Sequence, residues 1–153
     1  FNVFRQRPAA LFFRDASRKD IGIIVRVPLA SGLLTGLYTR QTSFAEGDHR
    51  NFNREGAAFD KGETFAGIDY EQGLKAVEEL KQLFPERENL APTALQWILQ
   101  YPEVSCIIPG ASRPAHLDSN LSTFDLPPME IGQKTAMDAI YTQYIKDMVH
   151  QRW

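Results

Sequence analysis

Two short stretches of this chain hold residue types suited to gripping a phosphate. The first reads Ile107-Ile108-Pro109-Gly110-Ala111-Ser112-Arg113-Pro114-Ala115-His116-Leu117. A β-branched run stops at a Gly turn and feeds a helix with Pro114 in its first turn, where a missing N–H costs nothing. The start of a helix exposes unpaired N–H groups and a partial positive charge, which together attract an anion. Ser112 adds a hydroxyl donor there, and Arg113 a planar guanidinium able to give two parallel hydrogen bonds. An ordinary helix start, with Ser112 as its cap and Arg113 in solvent, accounts for the same residues, and the stretch alone does not choose. The second stretch, Val27-Pro28-Leu29-Ala30-Ser31-Gly32-Leu33-Leu34-Thr35-Gly36, also follows an apolar run. Its small residues let backbone approach a ligand closely.

The other reactive side chains suggest less. Tyr38, Tyr70, Tyr101, Tyr141 and Tyr144 lie in loop or helix contexts and read as packing residues; His49 reads as a loop residue and His150 lies near the terminus. The single cysteine, Cys106, sits in Val104-Ser105-Cys106-Ile107-Ile108 and reads as a small apolar residue of a buried strand. One cysteine forms no intrachain disulfide and no C-x-x-C metal pattern, so the expected compartment is the cytoplasm.

The elements that must position the two stretches alternate between strand and helix. Phe1-Asn2-Val3-Phe4 reads as the tail of a strand entered midway, and Pro8 opens a helix over 8–19 with Leu11, Phe12 and Ala16 as its apolar stripe. The almost continuously apolar run 23–27 fits a strand covered on both faces, and Pro28 ends it. Residues 28–69 are loop-like and contain six of the ten glycines, so the recurring Phe44, Phe52, Phe59 and Phe65 are what must anchor so long a loop. Asp69 is the expected cap of a helix over 70–84, with Leu74, Val77, Leu80 and Leu83 inward and Glu71/Lys75 and Lys75/Glu79 paired outside. Pro92 opens a helix with Ala94, Leu95, Ile98 and Leu99 as its stripe. A strand over 104–108 and a helix over 114–121 follow. After Pro127-Pro128 comes a last helix over 130–150 with Ile140, Tyr141, Tyr144, Ile145 and Met148 inward.

Alternation of this kind implies βα units and a parallel sheet. Three strands leave sheet edges unpaired, and the simplest remedy is five more strands before Phe1, closing an eight-stranded barrel. The expected fold class is therefore α/β, the C-terminal part of a (β/α)8 TIM barrel. It comprises the end of strand six, strands seven and eight with their helices, and a C-terminal helix. Residues 1–153 form part of one domain whose N-terminal part lies outside the chain. Such barrels often bind phosphate with the loops after strands seven and eight, so the two stretches support each other.

These motifs resemble the two cofactor segments of the aldo-keto reductases. The likeness rests on Pro28-Leu29-Ala30-Ser31-Gly32-Leu33-Leu34-Thr35-Gly36 and on Ile108-Pro109-Gly110-Ala111-Ser112-Arg113 followed by Asn120. Arg50-Asn51-Phe52-Asn53-Arg54, Gly62-Glu63-Thr64-Phe65 and the ending Val149-His150-Gln151-Arg152-Trp153 are similar to bacterial members. The resemblance implies a barrel that binds NADPH without a Rossmann domain, in keeping with the lack of a G-x-G-x-x-G here. It implies that Pro28, Leu29, Ser31 and Gly32 fold over the pyrophosphate, and that Arg26 stands where many relatives stack an aromatic on nicotinamide. It assigns Gly110, Ser112 and Arg113 to the 2′-phosphate, which favours NADP over NAD, with His116 near the same phosphate and Asn120 on adenine. Several relatives carry Lys at the position of Leu37; its absence implies either weaker cofactor binding or compensation by another cation such as Arg40. The family's catalytic Asp, Tyr, Lys and His belong to segments preceding the one Phe1 matches, so no catalytic residue is assigned.

The resemblance implies a reductase that takes aldehydes or ketones to alcohols, represented by its cofactor-binding part and inactive alone. The alternative is a non-catalytic half-barrel that binds NADP(H) or a partner, since some relatives serve as channel-associated subunits. The expected partners are a small carbonyl substrate and either the missing part of the barrel or a second copy. A net charge of −2, from 17 basic and 19 acidic residues mixed along the chain, provides no phosphate-backbone footprint for nucleic acid. Apolar runs such as 21–25 are too short to span a bilayer.

Overall fold

A computed structural model describes residues 1–152; Trp153, the end of the C-terminal likeness, lies outside the described residues. Along the chain, a π turn at Ala9–Phe13 runs into α1, Arg14–Arg18, and then into β1, Ile23–Arg26. A long connection follows. It holds 3-10 turns at Ala30–Thr35, Lys61–Glu63 and Phe65–Gly67 and the single helical turn α2, His49–Phe52. Next come α3, Tyr70–Leu83, α4, Ala91–Leu99, and β2, Val104–Ile108. The chain closes with α5, Pro114–Leu121, α6, Ile131–Tyr144, and α7, Lys146–Val149.

β1 and β2 pair in parallel, with Ile24 opposite Cys106, Val25 opposite Ile107 and Arg26 opposite Ile108. They are the only paired strands among the described residues. Residues Phe1–Phe4 do not form the strand expected of them: Asn2 and Arg5 close a tight antiparallel bridge on each other instead. With no neighbouring strand to pair with, the Asn2 side chain satisfies the local backbone. Its Oδ1 accepts from Phe4 N–H, and its Nδ2 donates to Val27 O at 2.9 Å.

The strands are covered on one face, not two. Ile23 and Val25 are buried while Ile24 is 62% exposed, and β2 leaves Cys106 and Ile108 exposed. Register puts Ile24 beside Cys106 and Arg26 beside Ile108, so one face of the sheet faces solvent as a unit. Among the described residues, the hydrophobic core lies on the face that carries Val25 and Ile107. Cys106 is accordingly an exposed thiol rather than a core residue.

The helices follow local signals closely. Asp69 caps α3 by accepting from Gln72 N–H. Gly73, Ala76, Val77 and Leu80 are buried, with Leu74 and Leu83 at the margin. The expected Glu71/Lys75 pair gives way to Glu71 with Arg40 at 2.7 Å. Every residue of α4 from Ala91 to Ile98 is buried, so it is an inner helix with only Leu99 exposed, and Trp97 rather than Leu99 fills the centre. In the first helix Phe13 and Ala16 are buried while Leu11 and Phe12 lie outside. The π turn adds a residue to one helical loop and so rotates the apolar face away from the spacing expected of a regular helix. The last helix is broken at Ile145, whose φ of −122° is not helical. Its inner face is Met137, Tyr141, Ile145 and Val149, with Ile140, Tyr144 and Met148 only partly covered.

The long connection is ordered by two of its four Phe residues. Phe65 is buried and Phe44 packs against it with centroids 5.9 Å apart, whereas Phe52 and Phe59 remain exposed and meet each other edge to face at 6.1 Å.

A candidate cofactor cleft

The C-terminal ends of both strands open into one cavity of about 1060 Å³. All ten residues expected at a cofactor site line it: Arg26, Pro28, Leu29, Ser31 and Gly32 after β1, and Gly110, Ser112, Arg113, His116 and Asn120 after β2. Parallel pairing of β1 with β2 is what brings these two groups together, because it places the ends of both strands at the same edge of the sheet.

The wall after β1 holds an unusual backbone. Val27, Ala30, Ser31 and Gly32 all have positive φ, at 52°, 49°, 57° and 92°. For a non-glycine residue this costs on the order of 1–3 kcal/mol and persists only where neighbours fix it; such residues cluster at ligand clamps. Here the neighbours are identifiable. Asn2 donates to Val27 O, and Ser31 Oγ receives Phe65 N–H at 3.2 Å and donates to Glu63 O at 3.3 Å. The Ser31 hydroxyl is thus occupied in tying the strand end to the long connection. At Gly32 a Cβ would sit 2.3 Å from Tyr38 Oη, so only glycine allows that contact.

The connection forms the outer wall. Arg26 meets Glu63 with two parallel bonds of 3.2 and 2.9 Å, so its guanidinium edge belongs to an ion pair spanning strand end and loop. Asp48 caps α2 and grips Arg50 with both carboxylate oxygens; Arg50 Nη1 in turn donates to Tyr38 Oη at 2.6 Å. The hydrogen bonds from Arg50 hold the Asp48 carboxyl at a pKa of about 2, and the same contact raises that of Arg50. Arg50 and Arg54 lie over the Phe44 ring, and Arg54 also lies over Tyr70 at 4.6 Å. Cation–π contacts therefore stitch the connection to the body.

The wall after β2 is looser. No side chain caps α5, so Ser112 is not the cap of an ordinary helix start. Arg113 Nε donates to His116 Nε2 at 2.8 Å, and Ser112 Oγ lies 3.3 Å from His116 Nδ1. Asn120 is buried, with Nδ2 directed at Gly110 O at a long 3.4 Å, so it braces the turn as well as lining the cleft.

Sequence reasoning missed several lining residues: Tyr38, His49, Arg50, Glu63, Asn89 and Ser119. Asp48 and Arg50, two residues apart, were a visible pair. Nothing local foretold Asn89, whose Nδ2 donates to Ser119 Oγ across 30 residues. Leu37 does line the cleft, but Arg40 does not offset it, because its Nε is paired with Glu71 on the outside.

The chain belongs to the aldo/keto reductase family, whose profile matches residues 1–142. Its fold is that of the C-terminal part of the family's (β/α)8 barrel, shared with the glycerol dehydrogenase of Gluconobacter oxydans. That match has a TM-score of 0.73 at 22% identity and covers 95% of this chain and 41% of that one. The holo form of an aldo-keto reductase from Bacillus halodurans matches with a TM-score of 0.63 at 19% identity, over 92% of this chain and 40% of that one. Among curated relatives, the L-glyceraldehyde 3-phosphate reductase of Escherichia coli K12 is 30% identical over 69% of this chain and 29% of its own length. A probable voltage-gated potassium channel subunit beta of Arabidopsis thaliana is 28% identical over 84% of this chain and 38% of its own. An aldo-keto reductase of Schizosaccharomyces pombe, designated for NADP(+), is 25% identical over 78% of this chain and 33% of its own. The chain thus spans about a third of the length of these curated relatives. No helix among the described residues is long and apolar enough to cross a membrane.

Proposed function

We propose that this chain is the cofactor-binding part of an NADP(H)-dependent oxidoreductase that reduces aldehydes or ketones to alcohols, acting in the cytoplasm. The observation that carries the reading is the convergence of all ten expected residues on one cleft at the ends of two parallel strands. The cleft is at the upper end of the roughly 300–1,000 Å³ typical of ligand pockets, which suits an extended dinucleotide. The residues present fit its parts. The strained turn after β1 brings Leu29, Ser31 and Gly32 to the cleft wall, where a pyrophosphate would lie, and Ser112 with Arg113 supplies donors for a further phosphate. When bound, the dinucleotide supplies the hydride, while the protein supplies binding, orientation and charge. Arg26, held by Glu63, flanks the strand end at the nicotinamide position.

The remaining barrel strands come from a segment preceding this chain in a longer protein. The sheet face carrying Ile24, Cys106 and Ile108 is what a closed ring would cover with its inward side chains. The catalytic acid–base group also resides in that segment, so the 153-residue chain turns over no carbonyl by itself. The channel-subunit relative favours a second reading, in which the same cleft binds NADP(H) without turnover.

Fluorescence titration with NADPH and NADH tests the assignment. Preference for NADPH, lost in Arg113→Ala, is the expected result. Equal affinity for both, untouched by Arg113→Ala, removes the phosphate assignment. Carbonyl-dependent NADPH oxidation by a full-length protein carrying this segment separates the reductase from the non-catalytic reading.

A further inference from the structure

His116 makes contacts that determine what Arg113 offers a ligand. Its Nε2 lies 2.8 Å from Arg113 Nε, which always carries a proton, so Nε2 is the acceptor. A neutral imidazole has one protonated nitrogen, and the network therefore places that proton on Nδ1. Nδ1–H then donates to Ser112 Oγ at 3.3 Å. The Ser112 backbone N–H also points at Nδ1, at a longer 3.4 Å, and this weaker contact yields to the 2.8 Å bond from Arg113 in fixing the tautomer.

This assignment has a directional consequence. A guanidinium has two edges able to hold a phosphate side by side: one formed by Nε and an Nη, the other by both Nη atoms. With Nε committed to His116, the first edge is lost, and Arg113 presents its Nη1/Nη2 edge. Neither Nη atom has a partner among the described residues. Ser112 Oγ accepts from His116, so its own proton is also free to donate. One imidazole thus orients donors on two neighbouring residues of the same cleft wall.

We infer that His116 is a specificity-determining positioning residue, which as the Nδ1–H tautomer aims Arg113 and Ser112 at the phosphate monoester on the adenosine ribose. This rests on the NADP(H) reading of the cleft. His116 acts through Arg113 and Ser112 and needs no bond of its own to the ligand.

The test compares 2′,5′-ADP with 5′-AMP, which share the adenosine and differ by the extra phosphate, using calorimetric titration of the purified protein. His116→Leu should weaken 2′,5′-ADP about tenfold, the scale of one charge-assisted hydrogen bond, and leave 5′-AMP unchanged. Unchanged 5′-AMP affinity also shows that the variant is folded. His116→Gln, whose Oε1 can accept from Arg113 Nε, should recover most of the loss. In an Arg113→Leu background, His116→Leu should cost clearly less than in wild type, because only Ser112 is left for it to act through. If wild type binds both nucleotides equally, the NADP(H) reading fails and this inference falls with it. If wild type discriminates but His116→Leu keeps the discrimination, or loses it equally without Arg113, the reading stands and the positioning role is refuted.

Discussion

Replacing Gly32 with Ala should unlock the wall of the cleft that follows β1. The residue sits at φ +92°, and an added Cβ would stand 2.3 Å from Tyr38 Oη and 2.9 Å from Cζ. Left-handed backbone costs an L-residue roughly 1–2 kcal/mol. The contact itself is far below van der Waals distance, so Tyr38 must move. That takes its hydroxyl away from Arg50 Nη1, now 2.6 Å away, and loosens the ring from Phe44 at 5.2 Å. A hydrogen bond to a charged group contributes about 1.5–3 kcal/mol, so the combined loss is about 3 kcal/mol. For a domain of this size that corresponds to a fall in Tm of roughly 6–12 °C, read by calorimetry or circular dichroism. The decisive comparison is Gly32→Ala in a Tyr38→Leu background. With the ring gone, only backbone strain remains and the added cost should shrink to about 1 kcal/mol. Equal costs in both backgrounds would show that Tyr38 does not press on Gly32, and the described wall would be wrong.

Three further outcomes follow from the same contacts. The Asp48 carboxyl, held at about 2 by the hydrogen bonds from Arg50, is more acidic folded than unfolded. Its contribution is therefore complete above about pH 4, the unfolded value, and fades as pH falls through 2. Hydrogen exchange in residues 44–60 should rise over that window in wild type and show no such step in Asp48→Asn. Arg54→Ala removes a cation over Tyr70 at 4.6 Å and a 2.8 Å bond to Arg50 O, so stability should drop by about 1–2 kcal/mol in urea titrations. Glu63→Gln should leave Tm within about 1 °C, because its partner Arg26 is largely exposed and such pairs contribute little; a larger fall would mean that the pair holds the fold together.

What could be read from the sequence divides along physical lines. β2 and α5 match their expected limits because Val104–Ile108 is β-branched and Pro114 can only begin a helix. α3 was legible from Asp69 and its apolar spacing. Ser31, Gly32, Gly110, Ser112 and Arg113 stand out as small or donor residues of strand-end loops, whereas Arg26, Pro28, Leu29, His116 and Asn120 are placed only by the resemblance to aldo-keto reductases; all ten line the same cleft. Burial of the strands was not legible. The run at 23–27 is almost continuously apolar and 104–108 reads as a buried strand, yet a sheet face is buried only if something covers it, and among the described residues Ile24 and Cys106 are left exposed. Phe1–Phe4 illustrates the same limit, since strand-forming residues without a partner strand turn back on themselves. The lining role of Arg50 and Asn89 depended on contacts between distant segments, which spacing does not encode.

The central claim is that the loops ending β1 and β2 form the two walls of one site for a phosphorylated nicotinamide dinucleotide. Backbone amide shifts recorded while NADP⁺ is titrated into labelled protein test this most directly. Concerted, saturable changes are expected at residues 29–32 and 110–116, with NAD⁺ moving the second group far less. Saturable changes confined to surfaces away from both strand ends, or the same pattern and affinity with NAD⁺, would contradict it.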